Sequence, residues 1–520
     1  MSDTFSFGEL EVAATMEETP GLAEPETPFR IALAGDWSGR ANRRPPAQSI
    51  AERQPLLIDR DNFDAVMAQL NIILRLPVTD DGPRLTLSFR ELDDFHPDRI
   101  FERVGLFDAL RETRERLEDP DTFAEAARRV RGWANSTKSQ ETRTPSGEQK
   151  SVTASEAAAH ADGGSLLEQM LAEAGEAPET KPAAAAADDD LQAMLREVVR
   201  PHLVLFDEAE QEQLVASVDE ATSRLMRSIL HHADFQSLEA AWRAAYFLTS
   251  NLETGTDLKL YLLDVTKDEL ASDLSATDKL EETGAYRLLV EQSVNTFGGD
   301  LWATIVGNYA FEATRADALT LGRLAKIAER AGAPFIAAAA SSLVGCQSLA
   351  QTPDPDDWQE QLDSEHTDAW NALRRLEQAS YLGLALPRFL LRLPYGALTE
   401  PAETFDFEEM SGEPEHENYL WANPSFACAY LLGQSFTQFG WNLQTGILQE
   451  IEGLPLHIYQ HDGDSYIKPC AETILTMRAA EKILAQGLMP LLSFQGRDVV
   501  RLARFQSLAE EASTLSGRWS

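Results

Sequence analysis

The residues in this chain that could do chemistry are few and scattered. GDWSGR (35–40) places two glycines after an apolar run, a pattern that elsewhere cradles phosphate. It lacks both the Lys-Ser/Thr ending of a P-loop and the three-glycine spacing of a dinucleotide-binding turn, so it reads as a plain turn, as does FGGD (297–300). His231, His232 and Asp234 invite a metal reading. Successive helical residues point about 100° apart, so the two histidines do not converge on one ion. HHADFQ reads instead as the end of one helix and the start of another, with Asp234 as N-cap. Cys470 and Glu472 in KPCAET could pose as nucleophile and base, but no histidine is placed to orient them, since His457 and His461 lie upstream in a strand–turn region. Cys470 reads as a buried structural thiol. Asp93, Asp94 and His96 in ELDDFHPD suggest acid–base work; the simpler account is that Asp94 or His96 caps a helix beginning near Pro97. No catalytic, cofactor-binding or metal-ligating set emerges.

The elements around these residues are an alternation of helices and apolar strands, which predicts an α/β (mixed α+β) fold. FRIALAG (29–35) is an apolar run closed by glycine and reads as a strand. DNFDAVMAQLNIIL repeats Phe63, Val66, Met67, Leu70, Ile73 and Leu74 at helical spacing. LTLSF (85–89) alternates as a half-buried strand. HPDRIFERVGLFDALRETRERL (96–117) reads as one helix with Ile100, Val104 and Phe107 on a common face; these three either form the internal core of this block or face the second block. Helices are predicted at 207–231 and 235–250, and strands at 258–265, 301–309 and 334–340. SFACAYLLG (425–433) fits a strand or a helix. LPRFLLRLPY sets Arg388 and Arg392 among apolar residues, where arginine needs buried carboxylate partners such as Glu408 or Glu409.

Composition divides the chain. Residues 1–27 are acidic and weakly patterned and read as a flexible arm. Residues 28–135 read as one folded block and 191–520 as a larger one, with mixed sheets flanked by helices. Between them, 136–190 is rich in Ser, Thr, Glu, Pro and Ala and reads as a disordered linker, interrupted by SLLEQMLAEAGE (165–176), a short amphipathic helix with Leu166, Leu167, Met170 and Leu171 on one side. No repeat of 20–50 residues is visible. Lys+Arg total 45 against 85 Asp+Glu, a net charge of −40, which repels nucleic acid and anionic lipid and calls for basic partner surfaces. Three widely spaced cysteines argue against a disulfide framework and for a reducing, cytoplasmic setting. The N-terminus carries no secretory signal pattern, and no apolar stretch is long enough for direct membrane insertion.

Two regions resemble two proteins that work as a pair. LIDRDNFDAVMAQLNIIL, LTLSF and above all F-x-x-L-D-D-F-H-P-D (89–98) are similar to the small sheath subunit of type VI secretion, TssB, over roughly residues 28–120. MRSILHHADFQSLEAAWRAAYFL (226–248), YLGLALPRFLLRLPYG (381–396), FDFEEM (405–410), YLWANPSFACAYLLGQSF (419–436) and GLPLHIYQHDGDSYIKPCAETILT (453–476) resemble the large subunit, TssC, in that family's order. The resemblance implies a fused protomer of a contractile, phage tail-like sheath. It implies as partners copies of itself or other sheath subunits, an inner tube protein (Hcp-like), baseplate components and an AAA+ unfoldase (ClpV-like) recognising the 165–176 helix. It implies neither cofactor nor catalysis. Against the family pattern, the chain ends before a C-terminal segment of interlocking strands. That departure raises the alternative of a non-contractile, sheath-derived monomer, cap or adaptor of a secretion or baseplate complex.

Overall fold

The structure is a computed structural model that describes residues 3–7, 10–14, 23–24, 26–45, 48–77, 84–135, 211–293, 301–358, 364–443 and 446–519. It is a mixed α/β fold whose described residues form two compact units. One contains the chain up to Leu76, Leu85–Ile100 and everything from Arg227 onward; the other contains the described residues of Phe101–Met226 together with those at the ends of Pro77–Arg84. Both units draw on both sequence blocks, so the division into units does not follow the division into blocks.

The first unit is organised by a nine-stranded sheet. Its strands are β1 (Phe29–Gly35), β2 (Leu56–Ile58), β3 (Leu258–Asp264), β4 (Thr304–Phe311), β5 (Phe335–Ala339), β6 (Leu382–Leu386), β7 (Glu450–Ile451), β8 (Met489–Ser493) and β9 (Val500–Leu502). In space they run β7-β9-β8-β6-β5-β4-β1-β3-β2. The six strands from β8 to β3 are parallel, and the antiparallel pairs lie at the margins. β1, from the first block, is therefore a central strand flanked by two strands of the second. Leu33 pairs with Leu262 on one side and Val306 on the other. Every residue of β1 is buried, as expected of an apolar run without alternation, because a parallel sheet is covered on both faces. Its one charged residue, Arg30, lies flat against Tyr261 and Trp302, 4.4 and 4.2 Å from their ring centres.

Helix Arg315–Ala331 presents Leu321, Leu324, Ile327 and Ala328 to one sheet core, with Leu263, Ile305, Phe335 and Leu384. Helices Ala233–Asn251 and Pro424–Phe439 pack together, with Trp242 and Phe426 set against Trp37 and Phe436 against Phe29. SFACAYLLG is thus helical: Asn423 caps the first turn by accepting from the Ser425 amide, and Pro424 occupies the position where a missing N–H costs nothing.

Three expectations are corrected. The helical repeat of 63–74 stops at Leu70, because Asn71 turns left-handed (φ 46°) and Ile72, Leu74 and Leu76 then alternate inward along the strand Ile72–Pro77. The single helix of 96–117 is two, Pro97–Arg103 and Gly105–Glu118, since Val104 adopts an extended backbone ahead of glycine. Within the supposed N-terminal arm, Asp3–Phe7 and Leu10–Ala14 pair as antiparallel strands, which their Phe, Thr and Val content favours. The helices at 207–231 and 235–250 are found as Gln211–Leu230 and Ala233–Asn251. FGGD and the 165–176 helix lie outside the described residues.

The second unit is helical. Gly105–Glu118 packs on Phe123–Asn135 and is joined to Gln211–Leu230 by Arg114, whose Nε lies 2.7 Å from Asp219, and by the Gln211 side-chain amide donating to the Leu117 carbonyl at 2.6 Å.

A protease site placed within 136–190 tests the shared sheet. After cleavage the two pieces should co-elute on size exclusion in native buffer and separate only in denaturant; pieces that part in native buffer would show that β1 is not a central strand.

Candidate functional site: the seam between the sequence blocks

Where β1 ends, GDWSGR turns sharply. Gly39 is left-handed (φ 75°), and a Cβ there would lie 2.8 Å from the Ile73 carbonyl oxygen. The turn's amides are taken by the chain's own carboxylates. Asp36 accepts from Arg40 and Ala41 at 2.6 and 2.8 Å, and Asp264, at the end of β3, accepts from Trp37 and Ser38 at 2.8 and 3.2 Å. Trp37 is fully buried, edge-on to Trp242, and accepts at its carbonyl from the Trp242 indole at 2.9 Å. Arg40 and Arg53 of the first block both clasp Glu269 of the second, at 2.9 and 2.7 Å. Burial alone would raise the Glu269 carboxyl. Hydrogen bonds from Arg53, Arg40 and the Thr266 amide outweigh it and hold the group at about 2.

The 89–98 motif forms a second clasp. Phe89 stacks on Phe95 at 4.2 Å, and both rings meet Phe235 edge-on at 5.9 and 5.6 Å. The His96 ring stands edge-on to Tyr395 at 4.8 Å, and its Nδ1 accepts from the Asp98 amide, capping the helix. Asp98 accepts from the amides of Glu403 and Thr404 and from the Thr404 hydroxyl at 2.6 Å. Asp94 instead accepts from Arg90 and Glu91, closing the short turn before the helix.

Behind this clasp lies a buried charge cluster. Arg392, 6 % exposed, donates to Glu239 at 2.8 Å and to Glu409 at 2.7 Å. Arg243 joins it, donating to Glu239 at 2.7 Å and to the Tyr395 hydroxyl at 2.8 Å, and the Tyr395 amide donates to Glu409 at 2.7 Å. Glu409 is held at about 2: burial opposes ionisation, and Arg392, His231 and the Tyr395 amide override it. Arg388 does not meet Glu408 or Glu409. It donates to Glu472 at 2.8 Å and lies 3.3 Å from Glu417, and Glu472 too is held at about 2, with burial outweighed by His416 and Arg388. Glu408 accepts from the Ala397 amide at 2.9 Å.

Ile100, Val104 and Phe107 are all buried, and Phe107 lies 5.4 Å from Phe101 of its own block. His231 faces Glu409; His232, not Asp234, is the N-cap of its helix, because the helix begins at Ala233 and leaves Asp234 inside the first turn, where it accepts from Asn42 at 2.7 Å. Cys470 is buried, its thiol pushed up to about 11 by burial, and His457 is committed to the Tyr419 hydroxyl at 2.8 Å. Sequence reasoning missed Glu239, Glu269, Asp264, Phe95 and Asp98. The FHPD signature was the one available signal.

The fold and this seam define a structural α/β protein in which two segments of one chain are interleaved and joined by partly buried ion pairs. The family described as EvpB/VC_A0108, tail sheath N-terminal domain (VipB), matches residues 212–509, and the type VI secretion VipA family matches residues 13–133. The chain is 32 % identical over 345 residues to the type VI secretion system sheath protein TssC1 of Pseudomonas aeruginosa, covering 64 % of this chain and 69 % of that protein. It is 29 % identical over 103 residues to TssB1 of the same organism, covering 19 % of this chain and 59 % of that protein. The chain belongs to the tail sheath family and is a type VI secretion sheath subunit that carries a TssB-like and a TssC-like segment together. Among the described residues no helix is long and apolar enough to cross a membrane.

Replacing Arg392 with Met leaves Glu409 without its arginine and Glu239 with Arg243 alone, and should cost about 3–5 kcal/mol in denaturant unfolding. An exposed control, Arg315→Met, should change stability by less than about 1 kcal/mol. The three depressed carboxyls set a pH dependence. Their stabilisation is complete above the ordinary glutamate value of 4.5 and is lost as pH falls from there towards about 2. Melting temperature should therefore fall steeply in that window, and Glu269→Gln should flatten the slope; an unchanged slope would exclude Glu269 as a contributor.

Proposed function

We propose that this chain is a one-piece protomer of a type VI secretion-like contractile sheath, assembling with copies of itself or other sheath subunits around an Hcp-like inner tube on a baseplate. The observation that carries the reading is β1, a strand of the TssB-like segment between two strands of the TssC-like segment. It makes the two segments one mechanical body. The work is done in the cytoplasm and is mechanical, not catalytic. The energy of contraction resides in the lattice, and ATP is spent by a separate ClpV-like unfoldase that recognises Leu166, Leu167, Met170 and Leu171. In this reading residues 28–135 and 191–520 are the small and large sheath portions, and 136–190 tethers them. Ile100, Val104 and Phe107 pack the portions together, while Arg388 and Arg392 with their carboxylates brace the large portion internally.

Negative-stain microscopy of purified protein, alone and with tube protein, is the direct test. Rings or tubes are expected, and discrete particles under both conditions would overturn the sheath reading. Deleting 165–176 should abolish retention on immobilised unfoldase without changing melting temperature; undiminished retention would remove the recognition role.

A further inference from the structure

In a parallel sheet, connections that leave neighbouring strands towards opposite sides open a crevice beyond their carboxyl ends. Here the chain leaves β1 towards β2 and β3, and leaves β4 towards β5 and β6 on the other side, so the switch point lies between β1 and β4. A cavity of 310 Å³ occupies it, lined by Asp36 and Asn42 beyond β1, Asp268 beyond β3, Asn308 on β4, and Asp234 and Ser237 on the helix. A second cavity of 430 Å³ shares Ser237, Asn308 and Ala310 with the first and continues past β5 and β6 to Arg388, Glu417 and Glu472. Together they make a trench across the ends of five strands. At about 4.8 Å per strand spacing it is about 19 Å long, the reach of five or six extended residues.

The lining selects the ligand's charge. Phosphate is excluded at the turn, because Asp36 and Asp264 already hold its amides. Both cations of the trench are spent on the protein: Lys267 donates to the Ala310 carbonyl and to Asp317, and Arg388 to Glu472 and Glu417. On the other side, the Asp268 carboxylate is exposed at the rim. Asn308 and Ser237 sit where the two lobes meet. We propose that this trench is a docking groove for an extended basic peptide segment of a partner protein, with a Lys or Arg side chain entering the lobe between Asp36, Asp234 and Asp268. The groove is independent of whether the chain forms tubes, so the microscopy above does not decide it.

The test is fluorescence anisotropy on the full chain at 150 mM salt with a labelled Arg-Gly repeat nonapeptide and a Glu-Gly repeat of equal length. Saturable binding of the basic peptide alone is expected. Ser237→Trp, which fills the junction of the two lobes, and Asp268→Lys, which reverses the rim charge, should each weaken it at least tenfold. Glu281→Lys, the same charge change outside the trench, should leave it within twofold. Equal loss in all three variants, or none in any, would trace the attraction to net charge and overturn the proposal. So would displacement of the peptide by free arginine at equal concentration, which would make the site one for a small molecule.

Discussion

The position of one strand governs this molecule. Phe29–Gly35 is hydrogen-bonded on both edges and covered on both faces, so the sheet is not continuous without it. Phe29, Ile31 and Leu33 are each 0 to 1 % exposed, and full burial of such a side chain contributes about 1.5–3 kcal/mol. The larger consequence is topological. A strand at an edge could dock after the rest had folded, but a central strand must be present while its neighbours pair. The TssC-like segment alone would face two unpaired strand edges across the gap, each a row of unmet backbone donors and acceptors. The helical unit repeats the pattern on a smaller scale, since Arg114 and Leu117 of the first segment are tied to Asp219 and Gln211 of the second.

The buried charges add something that apolar packing does not. An apolar strand between apolar strands tolerates a slip of register, and burying ions is a poor way to gain stability. Ions do punish misplacement. Glu269 receives Arg40 and Arg53 only when the turn after β1 sits over the end of β3, and Asp264 receives the Trp37 and Ser38 amides only in that same register. The Asp98 contacts to Glu403 and Thr404 locate the 89–98 motif in the same way. Apolar burial holds the segments together, and the carboxylates decide where.

What could be read from the sequence follows from what is local. FRIALAG was legible as a strand because an unbroken apolar run needs both faces covered, but its place in the order depends on partners more than 200 residues away. Helical spacing through Leu74 misled because Leu74 also satisfies a period of two with Ile72 and Leu76, and Asn71 in the left-handed region separates the readings. Val104 suits a helix face; its extended backbone is imposed by packing. Arginines in an apolar run announced buried carboxylates. Glu409 was within reach of that argument at a separation of 17 residues, whereas Glu239 and Glu472 were not, because nothing local distinguishes them among 85 acidic residues. The FHPD signature was visible by resemblance alone, and its physical content, rings on Phe235 and a carboxylate on the 403–404 backbone, needed coordinates.

The trench and the seam are two sides of one arrangement. The turn that locks β1 against β3 also forms one wall of the crevice, and its walls come from both segments: Asp36 and Asn42 from the first, Asp234, Asp268 and Asn308 from the second. A ligand that needs both walls exists only for the interleaved fold, so by mass action its binding adds to the stability of that fold and to nothing else. A peptide lying there would bridge the two segments across the ends of the strands, at right angles to the strands and in the same direction as the hydrogen bonds that join them. In that arrangement partner binding and the joining of the two segments meet at Asp36, which closes the turn after β1, and at Asp234, which accepts from Asn42 of the first segment.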